Sequence, residues 1–173
     1  HFLNDKVLFV TGATGFVAKG LVEKILRHAL DVERVYLMIR PRTRSNGMVI
    51  TAEERLEREV IRSSAFARLQ KQWGPKFESA VRGKFVAVAG DLTKERLGIA
   101  PERYAQLARE VDIVISIAGN VGFDEPIDLA LEQNTLGPGR IVEFAKACRD
   151  AILVHVSTAY VSGQQTGLIP EVA

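Results

Sequence analysis

Four apolar residues, Val7-Leu8-Phe9-Val10, run straight into Thr11-Gly12-Ala13-Thr14-Gly15-Phe16, and an amphipathic stretch follows at once. A short all-apolar run reads as a strand buried on both faces. Behind the glycines, Val17, Leu21, Val22, Ile25 and Leu26 recur at helical spacing, which predicts a helix over 16–29. Strand, tight turn and helix in that order open a βαβ unit, whose second strand lies parallel to the first. The rest of the chain repeats the alternation. Strands are predicted over 34–39, 85–89, 113–118 and 152–157. Helices are predicted over 52–69, over 101–109 with Pro101 in the first turn, and over 126–148, where Gly137-Pro138-Gly139 should interrupt. Roughly 45 residues separate the second and third strands, more than one crossover needs, and Trp73-Gly74-Pro75 should end the helix there. The expected fold is α/β: a doubly wound sheet of at least five parallel strands with helices on both faces, in one domain over 1–173.

Composition removes several function classes. Lys and Arg total 23 against 21 Asp and Glu, a net charge of +2, so no basic face suggests nucleic acid. Cys148 is the only cysteine, which excludes an internal disulfide and fits a reducing, cytoplasmic setting. The segment 151–170 carries no Lys, Arg, Asp or Glu. Its Ser157, Thr158, Ser162, Gln164, Gln165 and Thr166 make it too polar to span a bilayer, leaving peripheral membrane contact open. The start is no signal peptide, since the apolar run behind Lys6 is too short. His1 in place of Met leaves two readings: natural residues upstream, or the scar of a tag. His28, His155 and Cys148 show no metal-ligand spacing, so no metal is expected, and nothing near Cys148 suggests a nucleophile. The Glu- and Arg-rich stretch 53–62 is most simply a solvated helix face.

The glycine turn is the strongest chemical signal. Gly12 permits a tight turn and Gly15 lets backbone approach a pyrophosphate at a helix N-terminus, with Thr14, Phe16 and Val17 completing the turn and Ala18 where a third glycine is common. A purely structural turn is the competing reading. At the end of the second strand an NAD binder usually places an acid; here stands Arg40, followed by Arg42 and Arg44, while Asp31 and Glu33 precede the strand. A guanidinium can take a ribose 2′-phosphate in a bidentate contact, so NADPH is expected, with Arg40 the first choice. The alternative is a solvated arginine loop. After the third strand, Asp91 can accept from an adenine amino group while Leu92 packs on the ring; an Asp capping its own turn is the bland alternative. Ala118 and Gly119, after the fourth strand, are small where a dinucleotide must lie close to backbone.

Taken together these residues resemble the extended short-chain dehydrogenase/reductase superfamily, and more narrowly the N-terminal NADP-binding portion of a fatty acyl-CoA reductase. The likeness lies in Thr11 to Phe16, Gly90-Asp91-Leu92 with Leu97-Gly98, Phe123-Asp124-Glu125-Pro126, Asn134-Thr135-Leu136-Gly137, and Val154-His155-Val156-Ser157-Thr158-Ala159-Tyr160-Val161, followed by Gly167 and Glu171. It implies a Rossmann-like fold, cut before the end of the family domain, and NADPH-dependent reduction of a long-chain acyl-CoA to aldehyde or fatty alcohol, a role in lipid metabolism. It places a catalytic hydroxyl on Thr158, with Ser157 next, and a water-holding Asn on Asn134, whose carbonyl Pro138 would leave unpaired. The alternative for the hydroxyls is self-capping at a strand end; for Asn134 it is a helix break without catalytic meaning. Superfamily reductases also use a Tyr with a Lys four residues on. Here Tyr36 precedes Arg40, Tyr104 precedes Ala108 and Tyr160 precedes Gln164, so this chain alone is expected to be inactive. Two other readings stay open: a thioester-reductase domain that releases carrier-bound acyl groups, and a non-catalytic NADP sensor of the same fold.

Overall fold

The computed structural model describes residues 2–122 and 124–170; His1, Phe123 and Glu171, which the sequence reading used, lie outside them. Five strands form one parallel sheet in the order β5-β2-β1-β6-β7: β1 (Val7–Thr11), β2 (Arg34–Ile39), β5 (Phe85–Ala89), β6 (Ile113–Ser116) and β7 (Ile152–His155). Every residue of β1 is buried, as a strand covered on both faces requires. Val10 pairs with Leu37 on one side and Ile115 on the other, which brings the C-terminal ends of β2, β1 and β6 to one edge.

The period of two along β1 divides the core. Leu8 and Val10 join one cluster, with Val22, Leu26, Phe66 and Phe77. These come from α1 (Phe16–His28), from a 3-10 turn (Ser64–Phe66) and from α4 (Lys76–Lys84). Val7 and Phe9 join the other cluster, with Leu107 of α5 (Pro101–Glu110) and Phe144 of α7 (Gly137–Ala147). Phe9 and Phe144 pack with ring centroids 4.7 Å apart. The chain is thus a Rossmann-like α/β layer structure.

Three stretches depart from the sequence expectation. The arginine-rich segment after β2 is a hairpin, β3 (Arg42–Thr43) against β4 (Val49–Ile50), closed where Gly47 N–H donates to Arg44 C=O. The helix predicted over 52–69 is broken. Thr51 and Glu54 form a capping box on α2 (Ala52–Arg55), which widens into a π turn (Leu56–Ile61), passes through the 3-10 turn and resumes as α3 (Ala67–Trp73). Behind Gly74-Pro75 the sequence reading missed α4 altogether, since Pro75 both ends one helix and leads the next.

The third departure concerns 126–148. No break occurs at Gly137-Pro138-Gly139: α6 (Ile127–Leu131), a π turn (Glu132–Leu136) and α7 form one continuous helix. Gly137 N–H reaches back five residues to Glu132 C=O. The bonding ladder has therefore already shifted where Pro138, in the first turn of α7, lacks its N–H. β6 and β7 also end two residues earlier than predicted, although Val156 N–H still donates to Ser116 C=O. Among the described residues no helix is long and apolar enough to cross a membrane.

Candidate dinucleotide-binding site

A crevice of about 440 Å³ opens at the C-terminal ends of β5, β2, β1 and β6. All eleven residues that the sequence singled out for a nucleotide lie on its wall: Gly12, Thr14, Gly15, Phe16 and Val17; Arg40 and Arg42; Asp91 and Leu92; Ala118 and Gly119. The sheet explains the gathering, because each group follows the end of a different strand at the same edge.

Gly12 carries the tightest constraint. Its φ is +72°, and a Cβ there would stand 2.8 Å from the backbone nitrogen of Ala118. The neighbouring Thr11, unremarked in the sequence, is fully buried, and its Oγ1 accepts from both Ile117 N–H and Ala118 N–H at 3.1 Å. Together they press the β1 turn onto the β6 loop. Gly15 N–H then donates to Gly12 C=O, and α1 begins with no side-chain cap and no acid in its first turn. Its leading N–H groups and the positive end of its dipole face the crevice, an arrangement that favours an anion. Phe16, 93% exposed, and Val17 flank that end.

The β2 end is cationic. Arg40 lies 3.9 Å from Asp91, whose Oδ1 accepts from both Thr93 N–H and Thr93 Oγ1 at 2.9 Å. Asp91 thus caps its own turn through Oδ1, while its Oδ2 is the oxygen nearest Arg40. Arg42 lines the wall from β3, whereas Arg44, in the hairpin turn, does not reach it. Arg55 was missed. The stretch read as a solvated face buries this guanidinium, which donates from Nε and Nη2 to both oxygens of Glu59 (2.7 and 2.6 Å) and from Nη1 to the carbonyl of Arg40. The i,i+4 spacing of Arg55 and Glu59 behind a capping box was the available signal, but spacing alone does not say which face is buried. The Arg55 fork holds the Glu59 carboxyl below its usual range against the pull of burial, helped by Arg42 and Lys19.

At the other side of the crevice Asn134 grips the β6 loop. Its Oδ1 accepts from Asn120 N–H at 2.7 Å and its Nδ2 donates to Asn120 C=O at 2.9 Å. Gln133 and Val121, neither singled out from sequence, line the wall beside it. Ser157 and Thr158 follow β7, exposed and outside the crevice lining; Thr158 Oγ1 accepts from Tyr160 N–H and caps a 3-10 turn (Ala159–Ser162). Cys148 is buried and donates to Phe144 C=O, and burial pushes its thiol up to about 11, as an unreactive core residue should be. Among the described residues no cluster of His, Cys, Asp or Glu could hold a metal.

The residues present fit a dinucleotide: a glycine cradle that a Cβ would fill, an uncapped helix N-terminus and an arginine group beyond β2. The male sterility protein family, an NAD-binding family, matches residues 10–173. The chain is 39% identical over 171 residues to "Fatty acyl-CoA reductase 2, chloroplastic" of Arabidopsis thaliana, covering 98% of this chain and 27% of that protein. It is 41% identical over 173 residues to "Alcohol-forming fatty acyl-CoA reductase" of Simmondsia chinensis, covering 99% and 34%. It therefore spans about a third of the length of the curated relatives it matches. Among solved structures it resembles the terminal R domain from the myxalamid PKS-NRPS biosynthetic pathway, with a TM-score of 0.70 and 26% identity over 91% of this chain and 36% of that one. Motif, crevice and likeness over nearly the whole length agree that the chain belongs to the male sterility protein family, with a site built for a nicotinamide dinucleotide.

Proposed function

We infer that this chain is the nucleotide-gripping part of an NADPH-dependent fatty acyl-CoA reductase. The observation that carries the reading is the end of β2, where Arg40, Arg42 and Arg55 converge and the two neighbouring carboxylates are already engaged by Thr93 and by the Arg55 fork. A free acid there would hold a ribose 2′-hydroxyl; this cationic group suits a 2′-phosphate. The two fatty acyl-CoA reductases, both near 40% identical, supply the substrate class. When bound, NADPH supplies the hydride for the thioester carbonyl.

The chain's own residues bind and orient. The Gly12–Val17 turn seats the pyrophosphate, Asp91 and Leu92 take the adenine, and Ala118 with Gly119 lets the dinucleotide pass close to backbone. Asn134 holds the β6 loop through Asn120, and its main-chain carbonyl is the candidate anchor for a proton-relaying water. Thr158, with Ser157 beside it, offers a hydroxyl to the carbonyl oxygen as negative charge develops. For that its hydroxyl leaves the Tyr160 N–H it now accepts from. No tyrosine here precedes a Lys by four residues, so the proton-donating pair is assigned to the remainder of a longer protein.

The likeness to a terminal R domain favours a second reading, release of a carrier-bound acyl group. Assaying the full-length protein for NADPH oxidation separates them. Turnover with a long-chain acyl-CoA supports the first reading, and turnover confined to acyl-carrier thioesters supports the second. NADPH binding without turnover of either would leave a non-catalytic sensor.

A further inference from the structure

The helix over 127–147 touches both loops that shape the crevice. Asn134 clamps the β6 loop at Asn120, while Arg140, six residues on along the same helix, donates from Nη1 to the carbonyl of Leu92 in the β5 loop at 2.9 Å. In the sheet β5 and β6 are separated by β2 and β1, so no strand ladder links these loops. The β5 loop also needs outside support. Arg96, Leu97 and Gly98 are three consecutive left-handed residues, with φ of +48°, +59° and +63°, and two of them carry a Cβ. Asp91 N–H closes the loop on Leu97 C=O at 2.7 Å, which ties the strained segment directly to the residue that faces the adenine pocket.

Arg140 is itself fixed. Its Nη1 lies 2.7 Å from Glu132 Oε1, and the carbonyl of Glu132 accepts the π-type bond from Gly137 N–H. Gly137 packs against the same loop so closely that a Cβ there would come within 3.2 Å of Leu92 Cβ. The π turn therefore joins the loop contact at Gly137 to the ion pair at Glu132. Neither Glu132 nor Arg140 lines the crevice.

We propose that Glu132 and Arg140 are positioning residues for adenosine recognition: the pair pins the Gly90–Gly98 loop to the helix that also holds the β6 loop. Arg140 acts through the Leu92 carbonyl and not by touching the nucleotide. This rests on the dinucleotide reading above.

The test uses the full-length protein and two probes, NADPH and its adenosine fragment 2′,5′-ADP. Arg140→Ala is expected to weaken both by the same factor, about tenfold, the worth of one charged hydrogen bond. It should raise KM for NADPH far more than it lowers kcat. Arg140→Lys, which keeps a donor for Leu92 C=O, should recover most of the loss, and Glu132→Gln, which keeps an acceptor, should cost less than Arg140→Ala. Unchanged 2′,5′-ADP affinity in a folded Arg140→Ala protein overturns the proposal. If Arg140→Ala does not fold, hydrogen exchange in Arg140→Met, which keeps the aliphatic stem but no donor for Leu92 C=O, decides: faster exchange at the Asp91 and Leu97 amides supports the pinning, and unchanged exchange overturns it. A wild-type protein that binds neither probe would sink the dinucleotide reading instead, and the exchange experiment still judges the pair.

Discussion

At the β2 end of the crevice the polar side chains hold one another: Asp91 is bonded by Thr93, Arg55 grips Glu59 with two donors, and a third donor fixes the Arg40 carbonyl. The β7 end is built otherwise. Ile152 and Val154 of the edge strand β7, and Val156 just beyond it, stand roughly half exposed, and the Thr158 hydroxyl takes a local bond two residues on. The polar groups at the β2 end are thus fixed by one another across different elements, while the β7 end shows apolar surface and a hydroxyl held only by its own turn. On the proposed function, nucleotide binding belongs to the first end and hydride transfer to the second, so substitutions at the two ends should separate in what they damage.

The largest separation is expected at Gly12. Gly12→Val forces a left-handed φ on a β-branched residue and drives its Cβ into the Ala118 backbone, costing about 3 kcal/mol or more and abolishing NADPH binding. Thermal unfolding and fluorescence titration check both. At the other end, Thr158→Ala should leave stability and NADPH affinity unchanged, because its bond is exposed, yet lower kcat of the full-length protein in the proposed reduction by about a hundredfold. If it weakens NADPH binding instead, the ends are not independent.

Arg55→Met comes next. It strips the partners from Glu59 and frees the Arg40 carbonyl, for a loss of about 2 kcal/mol, below the full cost of breaking a buried pair because Glu59 keeps a third of its side chain in water. The sign with pH follows from the lowered Glu59 value. Its contribution is present above the ordinary carboxylate value of 4.5 and lost as pH falls through the folded value, so Glu59→Gln should flatten the acid limb of the stability curve. Urea unfolding between pH 3 and pH 7 reads this out. The smallest effect is at Cys148: with its thiol pushed up to about 11, alkylation near neutral pH should be negligible until the protein unfolds.

The same contrast explains what could be read from the sequence. The gathering of the crevice wall was legible because each of its pieces is a short motif at a strand end, where parallel topology alone brings Gly12, Arg40, Asp91 and Ala118 to one edge. Arg55 and Arg140 were not legible, since both act on backbone carbonyls of residues far away in the chain. Pro138 was misread as a break because a proline rule counts one missing N–H, whereas a π turn one step earlier can absorb it. The hairpin at 42–50 was hidden by arginines that look like solvated loop and pair as strand.

The most direct test is calorimetric titration of the full-length protein with NADPH and with NADH, for wild type and for Arg40→Ala. Wild type should prefer NADPH by at least about tenfold, as expected for a charge-assisted contact to the 2′-phosphate, and Arg40→Ala should erase most of the preference while NADH affinity holds. Equal affinity for the two nucleotides in wild type, or a preference untouched by the substitution, would contradict the 2′-phosphate contact.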